Sequence, residues 1–522
     1  MTDMTMTGPR ATPAIGPSAA ELAAAIALYE GALPPGMRHT FDISALDTLG
    51  LPVIIDAFIP ETGGWIDGYG YGASLDEARV GALGELSEDA HLSRALAGDC
   101  GVTASFADMN AREGAGRVID PRRLALPAGS AWSETHPMRW LKVQRWPEGT
   151  AWVPREFVAH SQGAFQTGAP DPAIAPSITP ITNGLGAGAT IEQALSHGIL
   201  ELLQRDGNTT RFRAMDSGVV IDLDAVSDPG ITSLLAQLRA HGIEPMAKLA
   251  TTELGITNVY VVDGGTAEPR MPLQATACGE AAHPNAERAF RKALLEFMAA
   301  RCRKAMMHGP LEAIAAFAGA GYLDAVRAHA DPDAQEPRAL SAMCEWVGLS
   351  TAALRERLQD TVLAERRRIS LSDLPSVPDA AIRDPANRLR DLVARLASQG
   401  QEVLFYDATP ASGGPCVVKT IVPGLECETM SYHRIGRRGV ARLIAETPPD
   451  GHAPLAGLGT PPEGARSVCL SADDEETLGG PAWLATDRID AIVGALYPLY
   501  REPSSHTVQM NLRRSLGQKV MR

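Results

Sequence analysis

The chain has 522 residues, 45% hydrophobic and 21% charged, with a formal net charge of −15 at pH 7. This length allows one large core or two to three smaller ones, and the composition is ordinary for a globular protein. The negative charge argues against duplex nucleic acid as a partner, and no apolar run reaches the roughly 18–20 residues of a membrane span.

The elements predicted in the first half of the chain begin with a leader without regular structure. This leader covers 1–20. It is followed by a helix at 21–31, a strand at 51–59, a long helix at 75–96 and two short strands near Trp140 and Trp152. The long helix starts with a capping box, in which Ser74 is the N-cap residue and Glu77 lies three residues further on.

The second half of the chain continues this alternation. Helices are predicted at 229–242, 285–306 and 386–399 with an alanine-rich helical region up to 366, and strands at 258–263, 402–406 and 416–422. Elements of both kinds, with several strand-to-strand connections, predict an α+β (mixed α/β) fold.

The domain organisation predicted from these elements is one large domain followed by a small extension. The domain covers 21–445 and contains a helical insert at about 306–366. A linker rich in proline and glycine covers 446–465, and a small helical C-terminal extension covers 466–522. The seven cysteines are dispersed without a CxxC pair, so we expect reduced thiols and a cytoplasmic protein.

Three helical stretches share a signature in which a glutamate lies seven residues after an alanine. The pairs are Ala78 and Glu85, Ala194 and Glu201, and Ala289 and Glu296; the first two copies continue with Glu88 and Gln204. Glu201 and Glu296 lie within aliphatic runs, where a carboxylate must be paired, protonated or bound to a metal. Because residues three apart share a helix face, the repeat predicts carboxylates that meet at one site.

A glycine-dense segment, 183–188, precedes the second signature helix, whose capping pair is Thr190 and Gln193. Backbone N–H groups at a helix N-terminus bind phosphate, and carboxylates suit Mg²⁺. Arg205 and Lys292 supply positive charge to the same polyanion. The constellation predicts an ATP–Mg²⁺ site built from helix faces. Because a single glutamate on an amphipathic helix is ordinarily solvated, the prediction depends on the recurrence.

The segment 182–206, which reads TNGLGAGATIEQALSHGILELLQRD, closely resembles the central motif of the YcaO family. Further similarities lie in the expected order. They are Leu49 to Val53, Glu85-Leu-Ser-Glu88, Gly279 with His283-Pro284, Ala289 to Glu296 with Arg301, and Pro423-Gly-Leu-Glu426. The resemblance covers roughly residues 20–440.

The resemblance implies an ATP-dependent enzyme that modifies peptide backbone amides in the biosynthesis of ribosomally made peptides. A Cys, Ser or Thr side chain, or an external sulfide, attacks the amide carbonyl; the oxygen is phosphorylated and leaves as phosphate. The product is an azoline or a thioamide. The implied cofactors are ATP and Mg²⁺. The implied cofactor-binding residues are Glu85, Glu88, Gly186, Gly188, Gln193, Glu201, Gln204, Arg205, Lys292 and Glu296, with Glu85, Glu88, Glu201 and Glu296 as metal ligands.

Several positions depart from the family's usual pattern. Gln204 and Gln193 stand where the motif has glutamate, Asp89 and Lys292 where it has arginine, and Gly186 where serine is common. Gln204 removes a charge, so we expect weaker Mg²⁺ binding, and Lys292 cannot make a bidentate phosphate contact. The C-terminus, 518–522, lacks the proline-rich ending of many azoline-forming members.

No separate leader-peptide-binding domain is visible in the sequence. We therefore expect a precursor peptide as substrate and a leader-peptide-binding or sulfur-delivery partner protein in trans; a homodimer is compatible with the resemblance. Two alternatives stay open. One is a non-catalytic scaffold that binds a precursor peptide or a partner enzyme, and the other is an accessory role in ribosomal-protein methylthiolation.

Overall fold

The computed structural model describes residues 16–61, 63–167, 174–210, 213–427, 430–445 and 453–520. Most of the predicted leader and the first part of the predicted linker, 1–15 and 446–452, lie outside these residues. Helix α1 begins at Ala19 behind the N-cap residue Ser18, two residues before the predicted start at 21.

Helices and strands alternate along the described chain, which confirms the predicted α+β fold. The helices are α1 Ala19–Glu30, α2 Leu75–Ala97, α3 Phe106–Glu113, α4 Arg155–Val158, α5 Gln162–Gln166, α6 Ile191–Asn208, α7 Pro229–Ala240, α8 Ala286–His308, α9 Leu311–Ile314, α10 Tyr322–His329, α11 Pro337–Val347, α12 Thr351–Leu358, α13 Asp379–Ile382, α14 Pro385–Ala397, α15 Arg437–Ala445, α16 Ala472–Leu478, α17 Thr486–Val493 and α18 Thr507–Val520. The strands are β1 Gly36–Asp42, β2 Val53–Pro60, β3 Ile66–Tyr71, β4 Val102–Ser105, β5 Pro137–Arg145, β6 Thr150–Pro154, β7 Leu185–Gly188, β8 Val219–Asp222, β9 Pro245–Thr251, β10 Thr257–Asp263, β11 Cys278–His283, β12 Arg367–Ser370, β13 Leu404–Asp407, β14 Cys416–Ile421, β15 Ala456–Leu458, β16 Arg466–Ser467 and β17 Ala482–Leu484.

The described strands form four sheets. The first has the order β1-β2-β3, the second β4-β5-β13-β14-β7 with β6 paired to β5, and the third β11-β10-β9-β8-β12. In the third sheet, β8 and β12 run parallel. The fourth sheet, β15-β17-β16, lies at the C-terminal end. The segment 466–522, predicted as a small helical extension, contains the helices α16, α17 and α18 and, in addition, the paired short strands β16 and β17.

Three strand–helix units, β3–α2, β7–α6 and β11–α8, share one local design. The N-cap side chains of Ser74, Thr190 and Asn285 each accept the N–H of the third helical residue. A strand glycine lies against each helix. A Cβ atom would come within 1.7 Å of the Ala78 carbonyl oxygen at Gly70, 2.2 Å of that of Ala194 at Gly186 and 2.1 Å of that of Ala293 at Gly279. Only glycine permits this close approach.

The three helices of these units occupy the centre of the fold. Helix α8 shares a hydrophobic core with the first and third sheets, where Phe290 packs near Ile55 and Val259. Helix α2 packs between the first sheet, through Leu86, and the second sheet, through Leu83, and α6 packs on the second sheet through Leu195. No helix within the described ranges combines the length and the apolar character that a membrane span requires.

Candidate functional site

One cavity of about 730 Å³ lies between α2, α6 and α8. Its lining residues recur every three or four positions along each helix, as expected for one helix face. From α2 they include Glu77, Gly81, Glu85, Glu88 and Asp89; from α6, Gln193, His197, Glu201, Gln204 and Arg205; and from α8, Arg288, Lys292, Glu296 and Arg303. The structure thus brings together every predicted site residue except the two glycines.

Gly186 and Gly188 do not line the cavity; they lie in β7, which the sequence suggested to be a loop facing phosphate. The reason for glycine here is packing, since a Cβ atom on Gly188 would lie 2.8 Å from the Gln193 Cβ. The Gln193 Oε1 accepts the N–H of Ala189 at 3.1 Å. It therefore completes the cap of α6 as Glu77 completes that of α2.

The signature glutamates make the same contact in all three units. Glu85 Oε2 accepts the N–H of Tyr69 at 2.8 Å, and Glu201 Oε2 accepts that of Gly184 at 2.9 Å. Glu296 Oε2 accepts the N–H of Glu280 at 3.2 Å. Each carboxylate is thus fixed by one oxygen to the strand of its own unit or, for Glu201, to the residue before that strand, while its side chain lines the cavity.

The carboxylates of α2 hold their protons more strongly than usual. Removal from bulk water raises the pKa of Glu85 to about 7, against the lowering effects of the Tyr69 N–H and of Arg303. The same removal, together with the charges of Glu201 and Glu85, raises the pKa of Glu88 well above its ordinary value. Because both pKa values are raised, a cation bound beside these acids would favour their ionised forms.

Cations form the other walls of the cavity. Arg205 Nη1 lies 3.4 Å from Glu280 Oε2, and its Nη2 lies 3.7 Å from Glu201 Oε1. The Nε atoms of Arg205 and Arg303 are buried and have no hydrogen-bond partner among the described residues. Buried donors without acceptors are rare, and their position at this cavity suits an anionic ligand.

Two histidines at the cavity are neutral. The enclosed position of His197 at the cavity, followed by the charge of Lys292, lowers its pKa to about 3. Burial, followed by the charge of Arg288, lowers that of His283 to about 3. Both imidazoles therefore offer hydrogen bonds without adding positive charge at neutral pH.

Sequence reasoning missed several charged groups of this cavity, namely Asp67, Arg288, Arg291 and Arg303. Arg303 could have been predicted from helical periodicity, because it lies seven residues, or two turns, after Glu296 and so shares its helix face. Asp67 gave no such signal, since it lies on β3 and reaches the cavity only when that strand packs on α2. The buried Glu280 on β11, which contacts Arg205, was also missed.

The donor set fits a magnesium–nucleotide ligand better than an isolated metal ion. Within the described residues, no three His, Cys, Asp or Glu side chains converge closely enough to hold a metal by themselves. Mg²⁺ usually binds one or two carboxylates and takes its other ligands from water and substrate phosphates. The acidic wall of α2 suits the cation, and Arg205, Lys292 and Arg303 suit phosphates. The roles of Glu85, Glu88, Glu201 and Glu296 as metal ligands stay a prediction.

Three strand–helix units around a cavity with acidic and basic walls define a class of protein suited to a polyanion together with a cation. The family model described as YcaO cyclodehydratase, ATP- and Mg²⁺-binding, matches residues 69–426. The chain therefore belongs to the YcaO family, and both the predicted family and the predicted cofactors, ATP and Mg²⁺, are confirmed.

Individual relatives are distant in sequence. An uncharacterised protein of Methanothermobacter thermautotrophicus is 26% identical over 406 residues, which cover 77% of this chain and 93% of that protein. The structure of YcaO from Methanopyrus kandleri bound with AMPPCP and Mg²⁺ has a TM-score of 0.53 at 18% identity, covering 83% of this chain and 94% of that one. A heterocyclase in complex with substrate and cofactor has a TM-score of 0.50 at 18% identity, covering 71% of this chain and 46% of that one.

Proposed function

We propose that this protein uses ATP to convert backbone amides of a ribosomally made peptide into azolines by cyclodehydration. The observation that supports this most is the cavity in which carboxylates of α2 oppose cations of α6 and α8, in a chain whose family is described as a cyclodehydratase. The cavity volume of about 730 Å³ lies within the range of small-molecule sites.

The residues of the chain have separable tasks in this proposal. Glu85 and Glu88 bind Mg²⁺, and Arg205 and Lys292 bind phosphate oxygens, so that the nucleotide is held between two walls. When bound, ATP supplies a phosphoryl group that turns an amide oxygen into a good leaving group. Fixed positive charge around the phosphates stabilises the negative charge of the transition state. A Cys, Ser or Thr side chain of the peptide is the nucleophile, and the net change in the peptide is loss of one water.

The proposal includes a second protein that presents the precursor peptide, such as a leader-peptide-binding protein. The carboxylates and cations described above account for nucleotide and metal, and none of them is dedicated to peptide recognition. A sulfur-delivery partner would instead give a thioamide. The mass of the product peptide distinguishes the two chemistries, because cyclodehydration removes water and thioamide formation replaces oxygen by sulfur.

The test measures phosphate release from ATP by the purified protein, with and without its partner and the short peptides encoded beside its gene. Release should require peptide and should be lost in Glu201→Ala and Glu296→Ala. Glu192→Ala is the matched control, because Glu192 lies on the same helix as Glu201 but does not line the cavity. A protein that neither binds AMPPCP with Mg²⁺ nor consumes ATP would be a scaffold, and the enzyme proposal would be wrong.

A further inference from the structure

Glu280 is a buried carboxylate that the proposed function has not used. It lies on β11, only 4% exposed, and does not itself line the cavity. Its side chain accepts hydrogen bonds only from α6 and the segment that follows it, among the described residues. The donors are Gln204 Nε2 at 3.3 Å, Arg205 Nη1 at 3.4 Å, Asn208 Nδ2 at 2.9 Å and Arg213 Nη2 at 2.5 Å.

Glu280 is an anion despite its burial. Burial alone would raise its pKa, but Arg213 and Arg205 outweigh that effect and lower the pKa below the ordinary value. The neighbouring Gln204 is neutral and gives this anion a donor. A second carboxylate at position 204 would place two like charges within about 4 Å and destabilise both. Glutamine at 204 and glutamate at 280 are therefore a matched pair.

We propose that Glu280 supplies from β11 the negative charge that α6 lacks at Gln204, and that it is a positioning residue which holds Arg205 toward the nucleotide. This inference rests on the proposed function for the identity of the ligand. Arg205 is held on one side by Glu280 and on the other by Glu201. Its buried Nε has no partner among the described residues, so the guanidinium is oriented but not saturated.

The competing interpretation is that α6 has simply lost a magnesium ligand at position 204. The two interpretations predict opposite effects of restoring the acid. If a ligand is missing, Gln204→Glu should tighten binding of Mg²⁺ and nucleotide. If Glu280 has taken over the charge, Gln204→Glu should weaken binding, because the new carboxylate faces Glu280 across 3.3 Å.

The experiment measures binding of AMPPCP with Mg²⁺ by calorimetry for the full-length wild type, Gln204→Glu, Glu280→Gln and the double variant. Each single change should weaken binding about tenfold, the loss expected when a charged hydrogen bond is removed or opposed. The double variant should bind more tightly than either single variant. Gln193→Glu is the matched control, because it adds a charge to the same cavity on the same helix away from Glu280; Gln204→Glu should bind more weakly than this control.

The proposal would be overturned if Gln204→Glu binds as tightly as wild type, or if the double variant binds more weakly than both single variants. If Glu280 has only a structural role, Glu280→Gln should have a lower melting temperature but an unchanged affinity for AMPPCP and an unchanged Mg²⁺ requirement. That result would also overturn the proposal. If Glu280→Gln does not fold, the proposal is tested by comparing the affinity of Gln204→Glu for AMPPCP with the affinities of wild type and Gln193→Glu.

Failure of the proposed function is distinguishable from failure of this inference. If wild type binds no AMPPCP, the nucleotide proposal is wrong, whatever the variants do. The pairing of Gln204 with Glu280 is then judged from the melting temperatures of the same four proteins. A double variant more stable than both single variants supports the pairing, and additive losses contradict it.

Discussion

Helices α2 and α6 reach the cavity through the same backbone design but present different charges to it. In α2 the signature positions are Glu85, Glu88 and Asp89, whereas the corresponding positions of α6 are Glu201, Gln204 and Arg205. Both glutamates at the first position accept a backbone N–H. The same strand–helix packing, which depends on glycines and N-caps, therefore presents an acidic surface to the cavity in α2 and a surface of mixed charge in α6.

The repeated strand–helix unit therefore fixes where the side chains lie, and the residues that vary between the two units determine which charges face the cavity. On α2, removal from water and then the charges of Glu201 and Glu85 raise the pKa of Glu88, so this wall gains from a cation. On α6, the amide of Gln204 and the guanidinium of Arg205 both bond to Glu280, so this wall already contains its counter-charge. A cation and a polyanion bound side by side would complete both walls.

The largest effect is expected where the two helices are alike. Glu85→Gln and Glu201→Gln each keep an oxygen that accepts the backbone N–H but remove the charge. We expect phosphate release to fall about a hundredfold, as for loss of one preorganised electrostatic contact, with little change in melting temperature. Glu192→Gln on α6 is the control. Full activity in either Glu85→Gln or Glu201→Gln would show that the two helices do not contribute equally.

The next effect is expected where the helices differ. Glu88→Gln makes the fourth turn of α2 resemble that of α6, and the Mg²⁺ concentration needed for AMPPCP binding should rise about tenfold. Without ligand the pKa of Glu88 is raised, chiefly by its removal from water. Because a metal-bound carboxylate must be ionised, binding should release a proton from Glu88. Calorimetry in buffers of different ionisation enthalpy measures that proton. Its persistence in Glu88→Gln would assign it to another group.

Close packing of strand on helix is predicted to be equally important in both units. Gly186→Ala places a Cβ atom 2.2 Å from the Ala194 carbonyl oxygen. We expect a loss of about 1–3 kcal/mol in the free energy of unfolding, as for overpacked sites, measured by urea denaturation. Gly70→Ala, where the distance is 1.7 Å, should lose at least as much. A neutral result at either position would mean that the strand shifts without penalty.

The acidic wall should also make stability depend on pH. An acid whose pKa is higher in the folded than in the unfolded chain binds more protons when folded, so it stabilises the fold at low pH. For Glu85 this stabilisation is complete below the ordinary value of 4.5 and is lost as the pH rises through about 7. Between these pH values the melting temperature of ligand-free wild type should therefore fall by more than that of Glu85→Gln. If the melting temperatures of the two proteins change with pH in parallel, the raised pKa of Glu85 is contradicted.

The smallest effect is expected at Gly84, within α2. A Cβ atom there meets nothing within 4 Å, and alanine is a better helix former than glycine. Gly84→Ala should therefore raise the free energy of unfolding by about 0.5–1 kcal/mol, again by urea denaturation. A loss of stability would show that the cavity wall at this point is tighter than its geometry indicates.

The three signature helices, their repeat and the family could be predicted from the amino-acid sequence alone. The caps at Ser74 and Thr190, and the step of seven to Glu85, Glu201 and Glu296, are local features with local physical causes. They were sufficient to predict a mixed fold with carboxylates facing one site, because helical periodicity fixes which residues share a face. The family motif at 182–206 then gave ATP and Mg²⁺, which the family match confirms.

The distribution of charge around that site depends on tertiary packing and could not be predicted from local patterns. The segment 183–188 suggested a phosphate-facing loop, yet most of it forms β7, because glycine there satisfies close packing on α6. Gln204 looked like a lost charge until β11 placed Glu280 beside it, although the two residues are 76 positions apart in sequence. Pairing between distant residues depends on which strand lies next to which helix, and no local pattern carries that information.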